Sequence, residues 1–225
     1  SGGADVAKLD VNVTFKDVTI TPQWVAGKMR VNRELLMNVP YLSTSIPQTL
    51  LYSPVGLYAA ENTLITTYLA ANAVPYAGDK TIGVEMIVDA AFGQMLGNYL
   101  QADYVLLNNY DYVEFIALNK ATGSGEYDLP NGLQVSIIDG SLFINSLKAV
   151  PVPSIPRYTA YVIASSEFEF LTRMGAELRM FEQSQDDAEK NKVLFRIEEM
   201  VAFFTKNLNA AVKIALPESE EVVGG

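Results

Sequence analysis

The sequence predicts an α+β protein with one domain inserted into another. Alternating apolar and polar residues mark strands near both ends of the chain. A stretch of helical spacing fills 43–69, and the middle mixes helical segments with short apolar runs. At 225 residues the chain is longer than one domain of ~150 and shorter than two. Strands at the two ends can pair into a single discontinuous domain, which leaves the middle as the insertion.

The elements follow in order. In residues 11–20, VNVTFKDVTI, Val11, Val13 and Phe15 alternate with polar neighbours, and the apolar set resumes at Val18 and Ile20. This is a half-buried strand with a bulge near Lys16-Asp17. WVAGKMRV (24–31) is a second strand, and Asn32 caps a short helix through Arg33-Glu34-Leu35-Leu36. From Ser43 to about Leu69, Ile46, Leu50, Leu57, Ala60, Leu64 and Tyr68 recur at helical spacing. Pro47 suits the first turn of that long helix, and Pro54 predicts a kink or break. Residues 70–81 are loop-like and mark a boundary.

Residues 83–99 predict an amphipathic helix with Val84, Ile87, Val88, Ala91, Met95 and Leu96 on one face. YVLLN (104–108) is a buried strand, and Tyr110 to Leu118 a helix with Val113, Ile116 and Ala117 inward. Gly123, Gly125, Pro130 and the pair Asn131-Gly132 make 120–133 a loop or hairpin tip. Short strands are expected around 142–144 and 161–164, then at 176–183. A polar turn over 185–191 leads into the alternating stretch KVLFRIEEMVAFFT (192–205). A last strand spans 210–216, and the acidic tail beyond it frays.

Composition removes whole classes of chemistry. The chain has no cysteine and no histidine, which excludes disulfides, thiol nucleophiles, Cys/His zinc sites and Ser-His-Asp catalysis. Sixteen basic against 26 acidic residues give a net charge of −10, the opposite of the basic stripe that tracks nucleic-acid phosphates. A hydrophobic fraction of 49% with 10% aromatics is that of a folded chain. No apolar run approaches the ~18 residues of a membrane span. Gly123-Ser124-Gly125 lacks the lysine and the strand-to-helix setting of a phosphate loop and reads as a turn. Asp186-Asp187-Glu189 and Glu198-Glu199 read as a solvated turn and a charged sheet face. Phe168, Phe170, Phe195, Phe203 and Phe204 read as sheet core or subunit contact. No cofactor or metal is expected.

Three stretches then carry a resemblance. TFKDVTITPQWVAGKMRVNRELLMNVPYL (14–42) resembles a sheet edge entering a long spine helix. YVLLNNYDYVEFIALNKATGSGEYDLP (104–130) sets Asn108, Asp111, Lys120, Gly125 and Tyr127 at a matching spacing. YTAYVIASSEFEFLTRM to NLNAAVKI (158–214) is similar in its strand pattern and its ending. In this order they resemble the major capsid proteins of tailed phages, the Hong Kong 97 fold.

The resemblance implies a peripheral domain over 1–77 and 178–225, with the helix at about 43–69 as its spine, and an axial domain over 78–177. It implies a non-enzymatic shell protein that self-associates into hexamers and pentamers and builds an icosahedral phage or prophage head. Such a shell assembles in the bacterial cytoplasm, encloses DNA without specific binding, and works with scaffold, portal and maturation protease. Axial-loop contacts would fall on Lys120, Gly123, Gly125, Tyr127 and Asn131. Some members of the family cross-link subunits through a lysine amine and an asparagine amide, with a glutamate as base. The matching positions are Lys8, Asn191 and Glu198. The family's N-terminal arm and most of its extended loop have no counterpart before Thr14, so the chain reads as a shortened, processed or reduced form. Alternatives are an encapsulin-like nanocompartment shell, a soluble enzyme built on a carboxylate pair, and a monomeric binding module.

Overall fold

A computed structural model describes residues 19–39, 41–121, 133–182 and 190–218. Strand β1 (Gln23–Asn32) turns Val25 and Gly27 inward. At its end the Asn32 side chain accepts the Glu34 N–H at 3.1 Å and starts α1 (Arg33–Asn38), as its cap position predicts.

The long helical stretch is two helices, α2 (Tyr41–Tyr52) and α3 (Leu57–Asn72). The break falls over 53–56, around Pro54, whose missing N–H cannot continue the ladder. Pro47 is not in a first turn. Tyr41 and Leu42 already belong to α2, so Pro47 lies inside it and leaves a carbonyl one turn back without its bond.

Two sheets flank these helices. A three-stranded antiparallel sheet has the order β1-β9-β8, with β8 (Phe168–Phe181) and β9 (Lys192–Thr205). A seven-stranded mixed sheet has the order β2-β10-β7-β3-β6-β5-β4. Its strands are β2 (Val74–Pro75), β3 (Tyr104–Leu107), β4 (Val135–Ile138), β5 (Ser141–Ile144), β6 (Leu147–Pro151), β7 (Thr159–Ile163) and β10 (Ala211–Ala215). Helix α3 spans both. Leu57 at its start packs with Val25, Ile46, Leu50, Ile197 and Val201, and Leu69 at its end packs with Ile155, Tyr161 and Ala211. The Tyr68 hydroxyl accepts the Thr205 N–H at 3.0 Å, and its ring meets Phe203 edge-on, which in turn stacks on Phe168.

The larger core lies under the seven-stranded sheet. Helix α4 (Gly83–Asp89) runs on into a π-helical turn, Ala90–Met95. Val84, Ile87, Ala91 and Met95 are buried as expected, whereas Leu96 is exposed. The wider π turn shifts the phase of the residues after it. Helix α5 (Asn109–Ala121) also differs from its apolar pattern. Val113 faces solvent, while Phe115 and the carboxylate of Asp111 are buried.

Polar anchoring sets that rotation. The buried Asn108 amide donates to the Ile155 carbonyl at 2.6 Å, and its oxygen accepts the Tyr110 N–H at 2.9 Å. Asp111 accepts the Tyr158 N–H at 2.8 Å and lies 3.5 Å from the Arg157 guanidinium. Arg157 also bridges to Glu114 at 2.6 Å and sits over the rings of Tyr110 and Tyr158. Asn108 and Asp111, two of the positions that carry the family resemblance, therefore fasten α5 to the 155–158 segment.

Other expectations changed. Strands β4 and β6 lie where none was expected, and β8 begins at Phe168, well before 176. Nearly all of β8 is exposed, so it has no burial alternation to read; its pairing with β9 defines it. The strand expected at 11–20 lies outside the described residues except for 19 and 20, which are not in a strand. The expected loop at 70–81 holds the end of α3 and β2. β8 runs unbroken through 177 and 178, and β10 joins the sheet formed by the middle of the chain.

Two substitutions test this framework. A Cβ on Gly56 would lie 2.5 Å from the Leu50 carbonyl oxygen and 2.9 Å from that of Leu51, both backbone atoms. Gly56→Ala should cost about 1–3 kcal/mol in urea unfolding, and more than Gly27→Ala, whose Cβ would meet its neighbours at 3.2 Å. Arg157→Ala strips an ion pair from Asp111, which is only 2% exposed. It should destabilise by about 1–3 kcal/mol, read as earlier loss of α5 amide protection in hydrogen exchange.

Candidate functional site

The features available for function are surfaces. The three-stranded sheet packs one face of β9 on α2 and α3, through Ile197 and Val201. Its other face is open and ordered in rungs, because residues paired across antiparallel strands share a face. Trp24, Met200 and Met174 form one apolar rung, with Trp24 56% exposed. The next rung is Ala26, Glu198 and Glu177, and beyond it Lys28, Arg196 and Arg179. Acid and base rungs lock together: Arg196 to Glu198 at 2.9 Å, Arg179 to Glu177 at 2.7 Å and Arg179 to Glu198 at 3.8 Å. The Glu177 carboxyl is held below its usual range, first by its hydrogen bond from Arg179. Among the described residues, the outer edges of β1 and β8 pair with no further strand, and β8 carries two register shifts. Long unpaired edges are templates for another chain.

The seven-stranded sheet ends instead in two short edges, β2 and β4. Exposed apolar side chains on this side include Ile137 and Ile138 on β4, and Tyr110 and Val113 on α5. At the root of the sheet, the Tyr76 hydroxyl and Asp89 are 2.6 Å apart. Burial and that carboxylate push the Tyr76 phenol up to about 12. Gln94 closes the same junction by bonding both Ala77 N–H and the Pro75 carbonyl, each at 3.0 Å.

Three concavities flank α3, with volumes of about 680, 300 and 250 Å³. The largest lies over the break between α2 and α3 and is lined by Tyr52, Val55, Tyr58 and Pro153 among others. None of the three has a carboxylate in its lining.

Of the residues singled out from the sequence, Lys8, Gly123, Gly125, Tyr127 and Asn131 lie outside the described residues, as does the Asp186-Asp187-Glu189 cluster. Lys120 is in helix α5 and not in a loop, because α5 continues to Ala121. Asn191 is exposed in the turn before β9, at φ 52°, where asparagine is tolerated. Its carbonyl accepts the Arg33 N–H at 2.9 Å. Glu198 lies seven residues further along an extended strand, about 23 Å away, with its carboxylate occupied by the two arginines.

Glu198 and Glu199 are not a solvated face. They are 8% and 6% exposed, on opposite sides of β9. Successive strand residues alternate, so Glu198 joins the outer ladder and Glu199 points with Ile197 and Val201 toward the helices. A glutamate in phase with the core residues was the available sequence signal.

No protein-family model matches the chain, and no curated protein is significantly similar to it. Solved structures do match. A protein of Mycobacterium phage Bobi is 15% identical, with 97% of this chain and 81% of that chain covered at a TM-score of 0.61. A protein of the satellite phage P4 procapsid is 9% identical, with 96% and 78% covered at 0.55. The encapsulin complex of Synechococcus elongatus is 11% identical, with 88% and 75% covered at 0.50. With its helical spine across two sheets, the chain has the Hong Kong 97 fold, the α+β architecture of tailed-phage capsid proteins and encapsulin shells.

Proposed function

We propose that this chain is a shell subunit that associates with copies of itself to build a phage or prophage head around DNA. The observation that supports the reading is the closeness of shape: the phage proteins match at TM-scores of 0.54 to 0.61, against 0.50 for the encapsulin. The open apolar rung at Trp24 and the free strand edges suit many modest contacts between copies, which a closed symmetric shell multiplies. In this reading the lobe of the three-stranded sheet with α2 and α3 is peripheral. The lobe of the seven-stranded sheet is axial, and the segment after α5, with Gly123, Gly125, Tyr127 and Asn131, meets its neighbours around a symmetry axis. A chain carrying a net charge of −10 would form an inner wall that repels packaged DNA within a Debye length of about 10 Å. A nanocompartment shell of the same fold is the second reading, favoured by the encapsulin match.

Negative-stain images of the full chain at rising concentration should show capsomers or closed shells; monomer throughout would overturn the proposal. Trp24→Ser should lower the assembled fraction while leaving monomer stability within about 0.5 kcal/mol. Purified protein should not bind duplex DNA tightly at physiological salt. Particles taken from cells that make them should hold nuclease-protected DNA, whereas folded protein cargo would favour the second reading. An intact mass equal to one chain in denatured particles would exclude a Lys8–Asn191 cross-link.

A further inference from the structure

Among the described residues the two sheets present four outer edges, and of these β1 alone is both long and regular. β2 has two residues and β4 four. β8 carries two register shifts, which bend an edge away from a new strand. β1 pairs with β9 in unbroken register from Gln23 to Asn32, so its other side is a regular edge of ten residues.

What this edge can accept follows from the rungs that end on it. The rung of Ala26 continues to Glu198 and Glu177, and the rung of Lys28 continues to Arg196 and Arg179. Ala26 and Lys28 are both exposed. An acidic rung and a basic rung therefore reach the edge on either side of Gly27, and the edge can meet a copy of itself with opposite signs matched.

We propose that the β1 edge pairs antiparallel with the β1 edge of a second copy about a two-fold axis at Gly27, joining two three-stranded sheets into one of six strands. The pairing rests on the self-association proposed above and assigns it one surface. Residues opposite each other in an antiparallel pair share a face, so the axis must pass through a residue and not between two. With the axis at Gly27, Ala26 stands opposite Lys28 of the second copy. The acidic rung of each copy then runs on into the basic rung of the other, and the small Ala26 leaves room for the lysine to reach toward Glu198. Trp24 stands opposite Arg30, an indole against a guanidinium. On the helix side Val25 stands opposite Met29, and both belong to the apolar cluster under α2 and α3. A shift of one residue either way loses this match. An axis at Ala26 sets acidic rung against acidic rung, and an axis at Lys28 sets that lysine against itself and basic rung against basic rung.

The chain has no cysteine, so thiols can be placed singly. Full-length Ala26→Cys and Lys28→Cys chains are mixed before assembly, oxidised mildly and run on a non-reducing gel beside each variant alone. Opposed residues have Cα atoms about 4.5–5.5 Å apart, within disulfide reach, whereas like residues across this axis are two positions out of register. The mixture should give a dimer band and each variant alone none. No band from the mixture, or equal bands from all three samples, would overturn the pairing. Capsomers or shells in electron micrographs without the mixed band would remove this pairing and keep the shell reading; monomer throughout would remove both. A charge swap gives a second readout. Lys28→Glu makes acid meet acid and should shift dimer to monomer in sedimentation, and adding Ala26→Lys to it should restore the dimer. No loss in the first, or no recovery in the second, would overturn the proposal.

Discussion

A close approach of the helical spine to the three-stranded sheet depends on two glycines. Gly27 of β1 and Gly56 at the start of α3 face each other so tightly that a Cβ on Gly27 would lie 3.2 Å from the Gly56 Cα. Side chains at either position would hold the helices off the sheet and open the cluster of Val25, Ile46, Leu50, Leu57, Ile197 and Val201. The break over 53–56 makes this approach possible, since an unbroken helix would present side chains there. Pro54, Gly56 and Gly27 thus work as one device, although they come from two separate elements.

From that contact the rest of the architecture follows. β9 is paired on both sides and backed by the helices, so it organises the three-stranded sheet. Its continuation, β10, enters the seven-stranded sheet beside β2, which continues α3. The chain therefore passes between its two sheets three times, along α3, from β7 into β8, and from β9 into β10. Tyr68, Phe168 and Phe203, one from each crossing, stitch them together.

Charge is used differently on the two faces of β9. On the open face, Glu198 is balanced by Arg196 and Arg179 in a ladder that leaves little net charge beside the apolar rung of Trp24. Such neutral, rigid ladders favour specific docking over general stickiness. On the covered face, Oε1 of Glu199 is buried with no hydrogen-bond partner among the described residues. One step along a strand separates a carboxylate paired with two arginines from one with an unpartnered oxygen, because the side-chain period of a strand is two.

Much of this was legible in the order of residues. The strand at 24–31 was read directly and β9 from its alternation, Asn32 marked the cap of α1, Pro54 the break between α2 and α3, and the three family-like stretches the fold. These signals are local, written in spacings of two, three and four residues that any reader of the chain can see. What stayed hidden depended on distant partners. β8 has no burial pattern and exists through β9. The rotation of α5 follows bonds from Asn108 and Asp111 to a segment more than 40 residues away. The burial of Glu199 on the helix side of β9 depends on how α2 and α3 lie across the sheet. The sequence by itself determined which residues could form strands, helices, caps and breaks, and the overall fold class. Only the tertiary structure decided which edges remain open, which face of each element is buried and which charges are forced together, because those outcomes depend on pairings between segments far apart in the chain.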